Sequence, residues 1–205
     1  DFAYIKVATG IGSGHIIGGE IYRGSTGVAG EIGHTAIDPN GKPCICGLRG
    51  CLVTLIGTPA LLERAGELLE KHPDSTLAGR EFDVDDLEEA ARVGDVVALQ
   101  VAQEAAGNLG IVVAGLLNLM NPSMVVVGGD LTGLGELLLV PLREMARSRT
   151  LESSVAAAEI RASELGPKSV AIGAATQVLK AALVDSRLFP AVENHATARV
   201  RRTKE

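Results

Sequence analysis

The spacing of apolar positions changes character along the chain. Residues 2–8, FAYIKVA, carry bulky and β-branched side chains into a glycine cluster and predict a strand. Residues 9–14, TGIGSG, read as a tight turn, with short strands expected at 15–17 and 20–22, the grammar of a hairpin. Residues 24–33 are again glycine-rich, 35–38 predict a further short strand ending at Pro39, and a polar loop with the cysteines follows. From Thr58 the period lengthens. Leu61, Leu62, Ala65, Leu68 and Leu69 fall on one helical face. Asp83 is placed to cap a helix reaching Val93, with Asp85, Asp86, Glu88 and Glu89 near its favourable dipole end. Asp95 starts a longer helix to Met120, residues 124–127 form a buried strand, and Gly128-Gly129-Asp130 turns the chain into a helix over 135–149. Residues 155–161 predict a strand and 170–183 a small-residue helix, and from 185 the pattern dissolves into a solvated, mobile tail. Strands first, then helices and strands in alternation, indicate an α/β or α+β layered domain.

Composition narrows the function classes. The 205 residues are 46% hydrophobic and 21% charged, enough apolar material for a core and incompatible with intrinsic disorder. With 19 basic and 25 acidic residues the net charge is −6, which argues against a duplex nucleic-acid reader in this segment. Two Tyr, three Phe and no Trp leave no stacking platform for single strands. Arg199, Arg201, Arg202 and Lys204 form a short basic tail that reads as solvated. Residues 105–129 carry no formal charge and are long enough to span a bilayer. Asn108, Asn118, Asn121 and Pro122 interrupt the run, so a buried helix followed by a buried strand is expected, with no membrane partner. No basic and apolar leader opens the sequence, and three cysteines within eight residues are no secreted disulfide framework. A reducing cytoplasm is the expected compartment. The chain opens on Asp1, which points to a segment of a longer protein.

The strongest chemical signal is His34 followed by Cys44, Cys46 and Cys51. One His and three Cys supply the four ligands of a closed tetrahedral zinc site, and Gly47 and Gly50 let the backbone fold around a metal. Four protein ligands leave no open position, so such a zinc is structural. The competing reading is three ordinary buried thiols, or a redox pair with one spare. Thr9, Gly10 and Gly12 can bring backbone N–H groups to a phosphate, yet TGIGSG is also an ordinary strand connection, and no Lys follows to make it a P-loop. Gly128 and Gly129 are a weaker signal, explained fully by a strand-to-helix turn. His15, His72 and His195 have no partner at ligand spacing.

Gly30-Glu31-Ile32-Gly33-His34, the Gly41 loop and Cys44-x-Cys46-Gly-x-x-Gly50-Cys51 resemble the signature of the ROK family (repressors, open reading frames and kinases). Residues 8–14 resemble that family's glycine-rich phosphate turn, and residues 125–130 its later nucleotide-side glycine pair. The resemblance covers residues 2–184. It implies an actin-like, ribonuclease-H-like ATPase fold, here mainly the second lobe, with one zinc per chain and usually a homodimer. It also implies a sugar site at Glu31 and His34, with Thr9, Gly10, Gly12, Gly128 and Gly129 on a phosphate side that admits ATP and Mg²⁺ without requiring them. On this reading 1–184 is one partial domain, 185–205 a flexible tail, and the helix near 170–184 packs back on a first lobe. The family's further sugar-contacting Glu, two residues after the last Cys, is Val53 here. Its catalytic Asp belongs upstream of the phosphate turn, and Asp1 sits too close to that turn to fill the role.

Three functions compete. The first is the sugar-sensing and dimerising domain of a transcriptional regulator, reaching DNA through an upstream domain; Val53 and the IKVATGIGSG entry, similar to the regulator branch, favour it. The second is an ATP-dependent sugar kinase, favoured by the phosphate turn, Glu31 and the intact cysteine loop. The third is an oligomerisation scaffold with a zinc clip. Fold alone does not choose among them.

Overall fold

The computed structural model describes residues 1–185; the tail expected beyond them lies outside the described residues. The chain divides into a unit of Asp1–Pro167 and a second beginning at Lys168. In the second unit, residues Ser169–Val184 form a helix over the span the sequence predicts.

The first unit is built on a five-stranded sheet. Strands β1 (Phe2–Val7), β2 (Ile11–Ile17), β3 (Glu20–Tyr22), β4 (Met124–Gly129) and β5 (Glu159–Ala162) lie in the order β3-β2-β1-β4-β5. The β1–β2 and β2–β3 junctions are antiparallel, and β1–β4 and β4–β5 are parallel. This mixed order is the ribonuclease-H-like arrangement that the resemblance implies. The α/β, actin-like assignment stands.

Five further helices of this unit follow the predicted periodicity or fill gaps in it: α1 (Val53–Ile56), α2 (Thr58–Leu69), α3 (Val84–Arg92), α4 (Val96–Met120) and α5 (Glu136–Ser148). Asp83 caps α3 by accepting from the Asp85 and Asp86 amides, while the Asp86 carboxylate accepts from the Asp83 amide. Asp95 caps α4 through the Val97 and Ala98 amides. Asn121, in the left-handed region with φ 44° before Pro122, stops α4 where the Asn-Pro signal places the stop. By length and composition α4 could cross a membrane, but Leu109, Val113 and Leu117 are fully buried in the core with Ile5, Val7 and Val127. It is the core helix expected from its interruptions.

Three local expectations need correction. Only residues 8–10 form the first turn; Ile11 to Gly14 already pair with β1, so Gly12 is a strand residue facing Lys6. Residues 35–38 do not form a strand: one isolated bridge, Ala36 to Cys51, is all that remains, because the backbone there bends to receive the cysteine loop. The strand expected over 155–161 starts at Glu159, after a short helix α6 (Glu152–Ala157) whose small side chains fit a helical turn as readily as an edge.

Candidate functional site

The GEIGH segment is pinned to β2 by its glycines. The Ser13 amide donates to the Gly30 carbonyl at 2.7 Å, with Gly30 at φ 108°. A Cβ on Gly30 would collide with the Ser13 carbonyl, and one on Gly33 with the backbone of Ile11. Only glycine permits these two close approaches. Ile32–His34, with Gly33 at their centre, make one turn of 3₁₀-helix, unforeseen from the sequence, which sets Glu31 at its entrance and His34 at its end.

His34 meets the cysteine loop. That loop is closed by its own backbone, with Cys44 N–H donating to Leu48, Gly47 N–H to Cys44 and Gly50 N–H to Lys42. Gly50, at φ 61°, passes so close to the Asp38 carbonyl that a side chain has no room. The result gathers His34, Cys44, Cys46 and Cys51 so that their ligand atoms all lie within 4.8 Å of one another. Nδ1 of His34 is 3.4 Å from Cys44 Sγ, and Cys46 Sγ is 3.6 Å from Cys51 Sγ. With Zn–S about 2.3 Å and Zn–N about 2.0 Å, a regular tetrahedron has edges of about 3.5 Å (S···N) and 3.8 Å (S···S). These two edges match those, and 3.6 Å is far outside disulfide bonding at about 2.05 Å. Burial, with Cys46 and Cys44 alongside, pushes the Cys51 thiol up to about 12, while the Leu48 backbone holds the Cys46 thiol below its ordinary value. Three thiols so placed ionise together only around a cation. The four residues therefore fit a metal of zinc's size and ligand preference.

Glu31 is exposed, and its carboxylate has no hydrogen bond or ion pair among the described residues. It borders a cavity between β2 and α4. Val53, which stands where the family resemblance has a carboxylate, opens α1 and packs partly buried against the core.

The glycines of the phosphate side also converge, in part. Parallel pairing of β1 with β4 sets Val7 beside Gly129, so Thr9 and Gly10 emerge next to Gly128 and Gly129 at the carboxyl ends of both strands. Ligands favour this edge in open α/β sheets. The Thr58 amide donates to Ala8 O at 3.1 Å, and Thr58 Oγ1 donates to Asp130 Oδ2 at 2.8 Å, tying α2 across the same edge. Gly12 is not in this turn. A Cβ on Gly128 would strike the Tyr4 ring, and one on Gly129, at φ 101°, the Val7 backbone. Packing alone requires glycine at 129, while a side chain at 128 would have to displace the Tyr4 ring. Sequence reasoning missed Thr58 and Asp130, and it passed over His15, whose Nε2 lies 3.0 Å from Ser13 Oγ. The available signal was the i, i+2 spacing, which puts Ser13 and His15 on one face of a strand.

Comparison with known proteins agrees with this geometry. The ROK family profile matches residues 1–181. A putative xylose repressor of Caldicellulosiruptor sp. (strain Rt8B.4) is 33% identical over 191 residues, covering 91% of this chain and 47% of the repressor. A glucokinase of Thermotoga maritima is 35% identical over 177 residues, covering 84% of this chain and 56% of the kinase. The chain thus spans about half the length of the curated relatives it matches. The crystal structure of a ROK family glucokinase from Streptomyces griseus, in complex with glucose and AMPPNP, superimposes with a TM-score of 0.79 at 33% identity, covering 86% of this chain and 60% of that one. Repressors and kinases stand at similar identity.

Proposed function

Because the chain belongs to the ROK family, we propose that it is the sugar-sensing and dimerising part of a transcriptional regulator, braced by a structural zinc. Val53 carries this reading. In the family pattern a carboxylate at that position grips sugar hydroxyls, and a valine accepts no hydrogen bond. A kinase must hold its acceptor hydroxyl in line for transfer, whereas a sensor needs only different affinities in two states. Glu31, with an unengaged carboxylate, accepts two adjacent hydroxyls of a sugar or sugar derivative. His34 commits Nδ1 to the metal side and has Nε2 left for the sugar, so metal and effector share one ring. Zinc held by His34, Cys44, Cys46 and Cys51 would supply positive charge for three thiolates and a cross-link; four protein ligands give it no open position for catalysis. DNA is reached through another part of the protein, and the compartment is the cytoplasm where the operator lies.

The second reading is an ATP-dependent sugar kinase. The convergence of Thr9 and Gly10 with Gly128 and Gly129 at one sheet edge favours it. In the regulator reading the same edge is a vestige of a nucleotide site, and ATP with Mg²⁺ is dispensable. Operator-binding titrations of the full-length protein separate the two. Glu31→Ala should abolish the response to the sugar effector while leaving metal content and ligand-free DNA binding intact. Steady ADP release on adding hexose and Mg-ATP would instead establish the kinase.

A further inference from the structure

The cavity of about 390 Å³ between β2, the 30–37 segment and the second half of α4 has a chemistry of its own. Ile37, Val112, Leu116 and Met120 give it apolar walls. His15 stands among them, only 8% exposed. Ser13 Oγ lies 3.2 Å from the Gly30 carbonyl and 3.0 Å from His15 Nε2; with its single proton donated to Gly30 it accepts from His15 Nε2–H. Burial pushes the imidazole below its ordinary value, so it is neutral near pH 7. A neutral ring protonated at Nε2 has a lone pair on Nδ1. That atom has no hydrogen-bond partner among the described residues, yet it is not sealed in as Glu88 Oε1 is.

Gly115 is the second, independent observation. It lies inside the second half of α4, where glycine is among the poorest helix formers, and it lines the same cavity. A Cβ there would meet no atom within 4 Å. Neither a left-handed conformation nor a close approach asks for glycine at this position, so its effect is to widen the space.

We propose that this cavity binds a small apolar ring bearing one hydroxyl, such as a phenol or an arylmethanol, whose O–H donates to His15 Nδ1. The volume lies at the small end of ligand pockets and suits a single ring. Apolar walls take the ring, the exposed Glu31 carboxylate stands at the border of the cavity, and His15 Nδ1 selects a donor over a hydrocarbon of the same shape. The cavity shares Glu31 with the proposed sugar site, but the ligand needs no sugar and its hydrogen bond goes to His15.

The test uses the ¹⁵N-labelled chain with benzyl alcohol and toluene as matched probes. In the free protein the His15 imidazole resonances should show Nε2 protonated and Nδ1 bare. Benzyl alcohol should shift amides at Ser13, Gly30–Thr35 and Gly115–Leu119, and toluene should bind about tenfold more weakly, the worth of one hydrogen bond. His15→Leu should bind the two probes alike. Gly115→Leu, which fills the cavity with a better helix former, should bind neither and melt no lower than the parent. A proton on Nδ1, equal binding of both probes by the parent, or shifts outside the cavity would each overturn the proposal, whereas loss of the sugar response in Glu31→Ala tests the sugar reading separately.

Discussion

His34 Nδ1 and Cys44 Sγ stand 3.4 Å apart, one edge of a tetrahedron whose opposite edge is Cys46 to Cys51 at 3.6 Å. The relationship couples the turn that carries Glu31 to a loop ten residues further on. Any cation held there braces the Glu31 turn and the loop at once, so on the proposed sugar site metal and sugar binding are expected to be linked.

Purified chain should therefore contain one zinc per molecule by elemental analysis. Cys51→Ser should lose it, and chelation should lower the melting temperature, because metal-binding free energy is folding free energy for such a loop. Glu31→Ala should retain full metal. A metal-replete preparation with no zinc and a Cys44–Cys51 disulfide would sink the site.

Asp95 organises more than its own helix. Its carboxylate accepts from the Ser75 hydroxyl, the Thr76 amide and hydroxyl, and the Val97 and Ala98 amides. Burial alone would raise its pKa, but these donors, the Thr76 amide foremost, outweigh burial and hold it below the usual carboxylate range. Asp95→Ala removes an N-cap and strands buried donors, so urea denaturation should show a loss of about 3–5 kcal/mol. Asp95→Asn should cost less. Because the folded pKa is depressed, the stabilisation is complete above the unfolded value of about 3.9 and disappears as pH falls through the folded value. The gap between parent and Asp95→Asn should be flat from pH 5 to 8 and close in acid.

Glu88 carries the opposite sign. Desolvation raises its pKa, the Arg92 charge and the Gly133 and Leu134 backbone offset this only in part, and Oε1 is buried without a partner among the described residues. A carboxyl with a raised folded pKa contributes stability that is present below the unfolded value of about 4.3 and is lost as pH rises through the folded one. Glu88→Gln should then match or exceed the parent at pH 7, by up to about 1 kcal/mol, and lose that advantage near pH 4. A Glu88→Gln protein less stable than the parent at pH 7 would show that the Arg92 contact outweighs the burial.

The contrast between these carboxylates marks what the sequence could reveal. Asp95 was legible, since an acidic residue before a long apolar helix is a capping signal whatever the fold. Glu88 was expected only as a first-turn acid favoured by the helix dipole; its burial against Gly133 depends on a 3₁₀ turn at Asp130–Leu134 that no local pattern announces. The metal cluster was legible because Cys-x-Cys and Gly47 confine the thiols to one loop. The 3₁₀ turn at Ile32–His34 was not, because it exists through the approach of Gly30 and Gly33 to a strand some twenty residues earlier. Short helix α1, with Ile56 fully buried, likewise takes its shape from tertiary packing, at a length where propensity decides little.

Val53 offers the most direct test of the sensing reading. It opens α1 two residues after Cys51, so its backbone is placed by the same loop that holds the metal cluster. The Val53 side chain is only partly buried, which leaves room for a longer polar one to reach solvent without unfolding the helix. Val53→Glu places a carboxylate where the family pattern has one. It should tighten sugar binding by the worth of one charge-assisted hydrogen bond, about 1.5–3 kcal/mol or roughly 10- to 100-fold, read by isothermal titration. Glu31→Ala in the same background should reverse most of the gain, because two carboxylates on one sugar are coupled and not additive. If Val53→Glu binds no better than the parent while Glu31→Ala still abolishes binding, the sugar sits on the Glu31 side alone and the missing carboxylate is not what sets this chain apart from a kinase.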